Sequence, residues 1–361
     1  MKTAAGLVLL AAAWGVFAVE PHVKYTEEPL KEGYTGYKRD IFLNRGKMTI
    51  RQISADGKKA VSKKWGDYIF GFEFGRMPRT NGSWSIWGFL RCMERIRLPD
   101  GKVRQVNLLR DHLPEEVVAG SINGTAVADL VYPSASGGKL KIRLMQFPSH
   151  PEWTFIRFTC EGFSLSSVNF TAYPHNANSH KDMERHIADG KQDRNLTRAG
   201  LNFKPETPYL AMYNKYRQDN AGNFLIFHPE DFTRIVVPKT ATQILVQMFP
   251  AKEKTRFSVA LGYFADKPAD DAVNRFLGED GDAVRKFMDS IDWEPAPSMD
   301  EFERQCAEAA RLDVPADKLE PLRKQYQDAV RNKDNIKAAK CLAELQEQIK
   351  SAVSAGLNRF R

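Results

Sequence analysis

The sequence predicts a mainly β protein: a large antiparallel β-sandwich, then short helices and a C-terminal α-helical hairpin tail. Three observations carry that expectation. Short strand-like runs follow one another from about residue 47 to 264, with no long helical pattern between them. That excludes a βαβ arrangement and points to antiparallel sheets. Some runs alternate with period two, as in YIFGFEF (68–74), where Tyr68, Phe70, Phe72 and Phe74 share one face. Turn-forming residues separate many of the runs, most clearly the Asp-Gly of LPDGKV (98–103), a hairpin signal.

The first eighteen residues read differently. Lys2 precedes an apolar run from Ala4 to Phe17, and Val16 and Ala18 stand at −3 and −1 of a cut after Ala18. This is the pattern of a secretory signal peptide (1–18), too short for a membrane span. It places the protein outside the cell or in a periplasm. No later stretch has the length and apolarity of a membrane helix. Residues 19–266 are assigned to the sandwich, supersandwich-like in its length.

WSIWGFLRCMERIRL (84–98) has apolar even positions: Trp84, Ile86, Leu90, Cys92, Ile96 and Leu98. By that parity Trp84 faces the core and Trp87 faces outward. Glu94 falls on the apolar face, where a carboxylate needs a partner; Arg143 and Arg157 are the expected ones. Beyond Lys267, PADDAVNRFL (268–277) and DAVRKFMDSI (282–291) read as two short helices packing on the sandwich (267–292). The remainder, 293–361, is a linker and a helical tail. Ser298 and Glu301 form a capping box ahead of a helix over 299–312. A second helix spans about 320–331, with Leu322, Tyr326 and Ala329 on one face. The last carries Leu342, Leu345, Ile349 and Val353. The tail packs on the sandwich or on itself; the alternative is a dimerisation element.

Composition is that of a globular chain, 42% hydrophobic with 22 Phe and 6 Trp. The formal charge of +8 favours anionic partners, acidic glycans among them. The basic residues are scattered without an interleaved aromatic stripe, which argues against nucleic acid. Four cysteines allow two disulfides in an exported chain. Buried free thiols are the alternative, because Cys92 and Cys160 lie on apolar faces.

The chemistry-bearing stretch is YPHNANSHKDMERHIADG (173–190), which holds three of the seven histidines. It follows the strand-like SSVNFTAY (166–173), so it is expected to be a loop leaving the scaffold, where functional residues collect. Tyr173, His175 and His180 suit proton transfer, and Asn176, Asn178 and Asp189 suit hydrogen bonding to a sugar. Asn, His and Tyr can together neutralise a uronate, remove its C5 proton and protonate the leaving oxygen, and Tyr173, His175, Asn176 and Asn178 offer all three types without demanding that reaction. Glu73, between the glycines of GFEFG (71–75), is a further candidate base. Trp87, expected outside, could stack on a sugar ring. A metal site built on His175 and His180, with Glu184, His186 or Asp189, is the chemical alternative. Its spacing matches no strong zinc pattern. A turn of helix over HKDMERHIADG would place His180 with Glu184 and Asp182 with His186. Asp111-His112 is a weaker pair. No motif assigns a cofactor. The reading is a protein that binds or modifies carbohydrate through this loop. The alternatives are a non-enzymatic exported interaction module using its helical tail, which would allow oligomerisation through those helices, and a metal-dependent hydrolase.

Overall fold

The computed structural model describes residues 22–26, 36–43, 48–55, 74–78, 83–112, 114–122, 125–147, 149–150, 153–176, 184–214, 222–241, 243–263, 273–295 and 298–358. The signal-peptide expectation falls outside these residues.

Two large antiparallel sheets form a sandwich, as the alternating runs predict. One has nine strands. From edge to edge these are β13 (Asp193–Asn195), β12 (Arg185–Ala188), β15 (Tyr209–Asn214), β16 (Asn223–Phe227), β19 (Arg256–Tyr263), β10 (Trp153–Glu161), β9 (Lys139–Gln146), β8 (Thr125–Pro133) and β7 (Glu116–Ile122). The other has seven. It runs β14 (Leu201–Phe203), β17 (Phe232–Val237), β18 (Ile244–Pro250), β11 (Ser167–Asn176), β5 (Ser83–Arg97) and β4 (Phe74–Pro78), with β6 (Val103–Asn107) pairing the far half of β5. A small sheet of β1 (His22–Thr26), β2 (Gly36–Leu43) and β3 (Met48–Ala55) completes the strands.

Alternation along each strand builds the core. Phe158, Ile156, Ile142, Leu144, Leu225, Phe227 and Val259 point from the large sheet toward Leu90, Val168, Phe170, Val246 and Met248 of the other. The opposite face of the nine-stranded sheet is buried too. Trp153, Phe155, Phe224, Ile226 and Ala260 meet Val273, Phe276, Val284, Met288 and Trp293. A sheet covered on both sides explains why NFLIF (223–227) is apolar throughout rather than alternating.

The covering helix corrects one expectation. Residues 273–275 are already helical, and a π turn (Phe276–Asp280) leads straight into α2 (Gly281–Ser290). One helix with a wide turn stands where the sequence suggested two; α1 is the single turn Leu108–Asp111 earlier in the chain. Gly281 fits the wide turn because a Cβ there would lie 2.6 Å from the Phe276 carbonyl oxygen.

The linker is stapled to the sheet. Arg143, buried in β9, makes a two-pronged bond to Asp129 (2.7 and 2.5 Å). Its remaining nitrogen donates to the Trp293 carbonyl and to Glu294 Oε2 (2.7 Å). The Arg157 guanidinium lies 4.3 Å above the Trp293 ring. Burial there draws the Arg157 pKa down to about 10.

The tail is three helices: α3 (Met299–Arg311), α4 (Ala316–Arg331) and α5 (Asn335–Asn358). The predicted cap is present, with Ser298 Oγ accepting from the Glu301 amide at 3.3 Å. The apolar stripe packs on itself: Phe302, Cys306, Leu322, Tyr326, Leu342 and Leu345 form one cluster. The tail also packs on the sandwich, through Ala339 and a Lys340–Glu116 ion pair. All four cysteines are free and buried, as in the thiol alternative. Among the described residues no helix is long and apolar enough to cross a membrane.

Candidate functional site at the crossover end of the sandwich

The stretch 173–190 is less of a loop than its composition suggests. β11 continues through Tyr173, His175 and Asn176, which pair with Ile86, Trp84 and Ser83 of β5. Residues 185–188 are strand again, but in the other sheet, against β15. The expected helical turn is therefore absent from the HIA portion. The chain changes sheets between Asn176 and Arg185, leaving His175 on one sheet and His186 on the other. Asn178 and His180 lie outside the described residues, as does Glu73. Its neighbour Phe74 pairs with Trp87, which pairs with Ala172. Strands β4, β5 and β11 thus run side by side toward this end.

Trp87 corrects the parity reading. Between Asn169 and Thr171 on β11, the register on β5 moves from Arg91 to Gly88, three residues against two. This bulge turns the alternation over. Trp87 consequently joins Leu90 and Cys92 in the core, at 2% exposure. Its Nε1 donates across the sandwich to the Gly262 carbonyl at 2.9 Å, and its ring meets Phe170 edge-on. It offers no ring face to a sugar.

Asp189 is likewise engaged. Its Oδ1 accepts from the amides of Lys191 (2.9 Å) and Gln192 (2.8 Å), shaping the turn after β12 in which Gly190 has φ +86°. Asp111 Oδ2 accepts from the Asn107 amide at 3.0 Å, so that carboxylate closes a backbone turn. Glu94 stays on the inner face, but its partners are not arginines. It accepts from Ser134 Oγ (2.8 Å), the Ala135 amide (2.9 Å), the Ser136 amide (3.1 Å) and Ser136 Oγ (2.5 Å). The β8–β9 turn wraps the carboxylate and meets its charge with four donors.

Two polar residues that the sequence reading passed over sit between the sheets at the crossover end. Arg185 alternates with the core residue Ile187, and Asn223 with Leu225 and Phe227. Both are 0% exposed. Neither Nδ2 nor Oδ1 of Asn223 has a hydrogen-bond partner. A buried polar group left in that state costs about 1–3 kcal/mol. Nothing in NFLIF marks Asn223 as interior; only the double burial of the sheet does.

On the outer face of the same strands, His186 joins three elements. Its Nδ1 lies 2.8 Å from Asp193 Oδ1 and its Nε2 3.3 Å from Glu184 Oε2. Tyr213 donates its hydroxyl to Asp193 Oδ2 at 2.7 Å. With a carboxylate at each ring nitrogen, the imidazole ties β12, β13 and β15 together and has no nitrogen turned toward a substrate. Among the described residues, no three His, Cys, Asp or Glu side chains are grouped to hold a metal ion.

No protein-family model matches the chain, and no curated protein matches it. Solved structures resemble its fold. One is α-N-acetylgalactosaminidase NagBb from Bifidobacterium bifidum in complex with GalNAc, with TM-score 0.40 and 10% identity over 66% of this chain and 40% of that one. Another is a proposed aldose 1-epimerase from Klebsiella pneumoniae subsp. pneumoniae MGH 78578, with TM-score 0.43 and 9% identity over 77% of this chain and 93% of that one. The chain thus spans about two fifths of the galactosaminidase's length.

Proposed function

We propose that the protein is exported and binds or modifies carbohydrate at the crossover end of the sandwich. The observation that carries this reading is the register of β11 on β5. It sets Tyr173, His175 and Asn176 beside Ile86, Trp84 and Ser83, with Tyr173 and His175 by alternation on the face of β11 opposite to Phe170 and Ala172. Imidazole, phenol and amide groups there match sugar hydroxyls in hydrogen-bonding type. In this reading His175, His180, Tyr173 and Glu73 supply acid–base chemistry, and Asn176 and Asn178 hold the ligand. Export rests on the Lys2-to-Ala18 pattern.

The test is calorimetric titration of the full mature chain with neutral and acidic oligosaccharides. Binding of at least one, weakened tenfold or more by His175→Ala, is the expected result. A chain that binds none of them, while folded by circular dichroism, overturns the reading.

A further inference from the structure

Asn223 is the first residue of β16, so its side chain enters the inter-sheet space at the very edge of the strand. Its amide holds one donor group and one acceptor, both without a partner. A carboxylate can only accept, and an ammonium can only donate. A hydroxyl does both, so a hydroxyl can meet Nδ2 and Oδ1 together.

Arg185 lies nearby on the same face. Ile187 pairs with Met212, and Met212 with Asn223. Arg185 is therefore two strands across and two residues along from Asn223, a Cα separation of about 12 Å from standard strand spacings. A long side chain spans much of that distance. Arg185 is wholly buried and carries charge at any physiological pH. A guanidinium has five N–H donors in a planar fork, so it can serve an internal partner and an anion together. Trp87, hydrogen-bonded to Gly262 next to Tyr263, closes the apolar side of the same end, because Tyr263 is the strand partner of Asn223.

From these residues we infer that Asn223 and Arg185 form a recognition site for a sugar acid, with Asn223 holding a ring hydroxyl and Arg185 holding the carboxylate. The inference rests on the carbohydrate reading and names its substrate class. The positive formal charge of the chain agrees with an anionic ligand.

The experiment uses the full mature chain and three probes: a galacturonate oligosaccharide, its neutral galactose counterpart, and acetate. Affinity is measured by calorimetry, and the Tm is followed for wild type, Asn223→Leu and Arg185→Met. The uronate is expected to bind at least tenfold more tightly than the neutral sugar. Asn223→Leu should weaken it tenfold or more without lowering the Tm of the unliganded protein, and Arg185→Met should erase the preference for the acid. Acetate binding as tightly as the uronate would mean a bare anion site and sink the sugar part of the claim. If both sugars bind equally and Asn223→Leu changes neither, this inference fails while the carbohydrate reading stands. If no sugar binds, both fail. Should a variant not fold, the side-chain amide signals of Asn223 in the wild-type nitrogen-15 spectrum decide. They shift with the uronate if it docks there, and stay still if the amide holds only internal water.

Discussion

The two ends of the sandwich solve the problem of buried polarity differently. At one end hairpins such as β5–β6 and β8–β9 sit beside connections that cross between the sheets, β10 to β11 and β18 to β19 among them. Gly101, Gly137, Gly162 and Gly190 adopt positive φ there, and the buried Glu94 carboxylate is wrapped by the Ser134–Ser136 turn. Every strong acceptor at that carboxylate is met by donors from its own chain. At the other end, where β11 hands over to β12 and β15 leads into β16, neither polar side-chain atom of the buried Asn223 is met. A hairpin turn can bring its own donors to a charge because it is local. Asn223 opens β16 without such a turn around its side chain, and its amide is left for a ligand to satisfy.

Substitutions can sharpen or break this contrast. The largest effect is expected from Glu94→Ala, which strips the hairpin turn of its acceptor. A loss of about 3 kcal/mol in urea unfolding is expected from the orphaned donors, with Glu94→Gln falling between variant and wild type. A loss below about 0.5 kcal/mol would show that water replaces the carboxylate and that the hairpin end is not specially satisfied. Next comes Gly138→Ala. Its Cβ would lie 2.1 Å from the Glu161 carbonyl oxygen, backbone against backbone. A loss of about 2 kcal/mol is expected. Gly137→Ala, with nothing within 4 Å but φ +93°, should lose only about 1 kcal/mol. Equal losses would remove close approach as the reason for Gly138.

Between the ends, burial pushes the Cys160 thiol up to about 12 and the Cys92 thiol well above its usual range. The neutral thiols favour the folded state. Their contribution is complete below about pH 9, where unfolded thiols titrate, and is lost as pH rises toward about 12. Unfolding midpoints should therefore decline across that window, and both thiols should resist alkylation at pH 8 until the protein unfolds. Rapid labelling of the folded chain would contradict the closed core. The smallest effect, and of opposite sign, is expected at Asn223→Leu: a gain of up to about 1 kcal/mol in the unliganded protein, because unpartnered amide groups are replaced by apolar ones. A loss comparable to that of Glu94→Ala would make the two ends alike.

The contrast also tells which parts of the molecule are readable in one dimension. The Asp100-Gly101 hairpin, the Ser298 cap and the tail stripe of Leu342 and Leu345 depend on neighbours within a few residues, and all three appear as expected. Trp87 was misplaced because a bulge two residues away inverts strand parity, and nothing in SIWGFL marks the extra residue. The 173–190 stretch has the composition of a loop, yet its two ends are strands of different sheets, because partners for Asn176 and Arg185 come from β5 and β15. Glu94 was rightly placed inside, but its partner proved to be a serine turn rather than an arginine. Asn223 was invisible for the same reason: its environment is set by sheets, not by sequence neighbours.

The bond from Trp87 to the Gly262 carbonyl joins residues 175 positions apart. Its consequence lies in time. β5 emerges early during synthesis, but its cross-sandwich contact cannot form until β19 has been made. A topology dominated by such distant pairings folds slowly, since loop closure must precede the reward of contact. During that interval the Trp87 Nε1 donor waits without its acceptor. Slow refolding is the expected outcome, measured by stopped-flow fluorescence of the tryptophans.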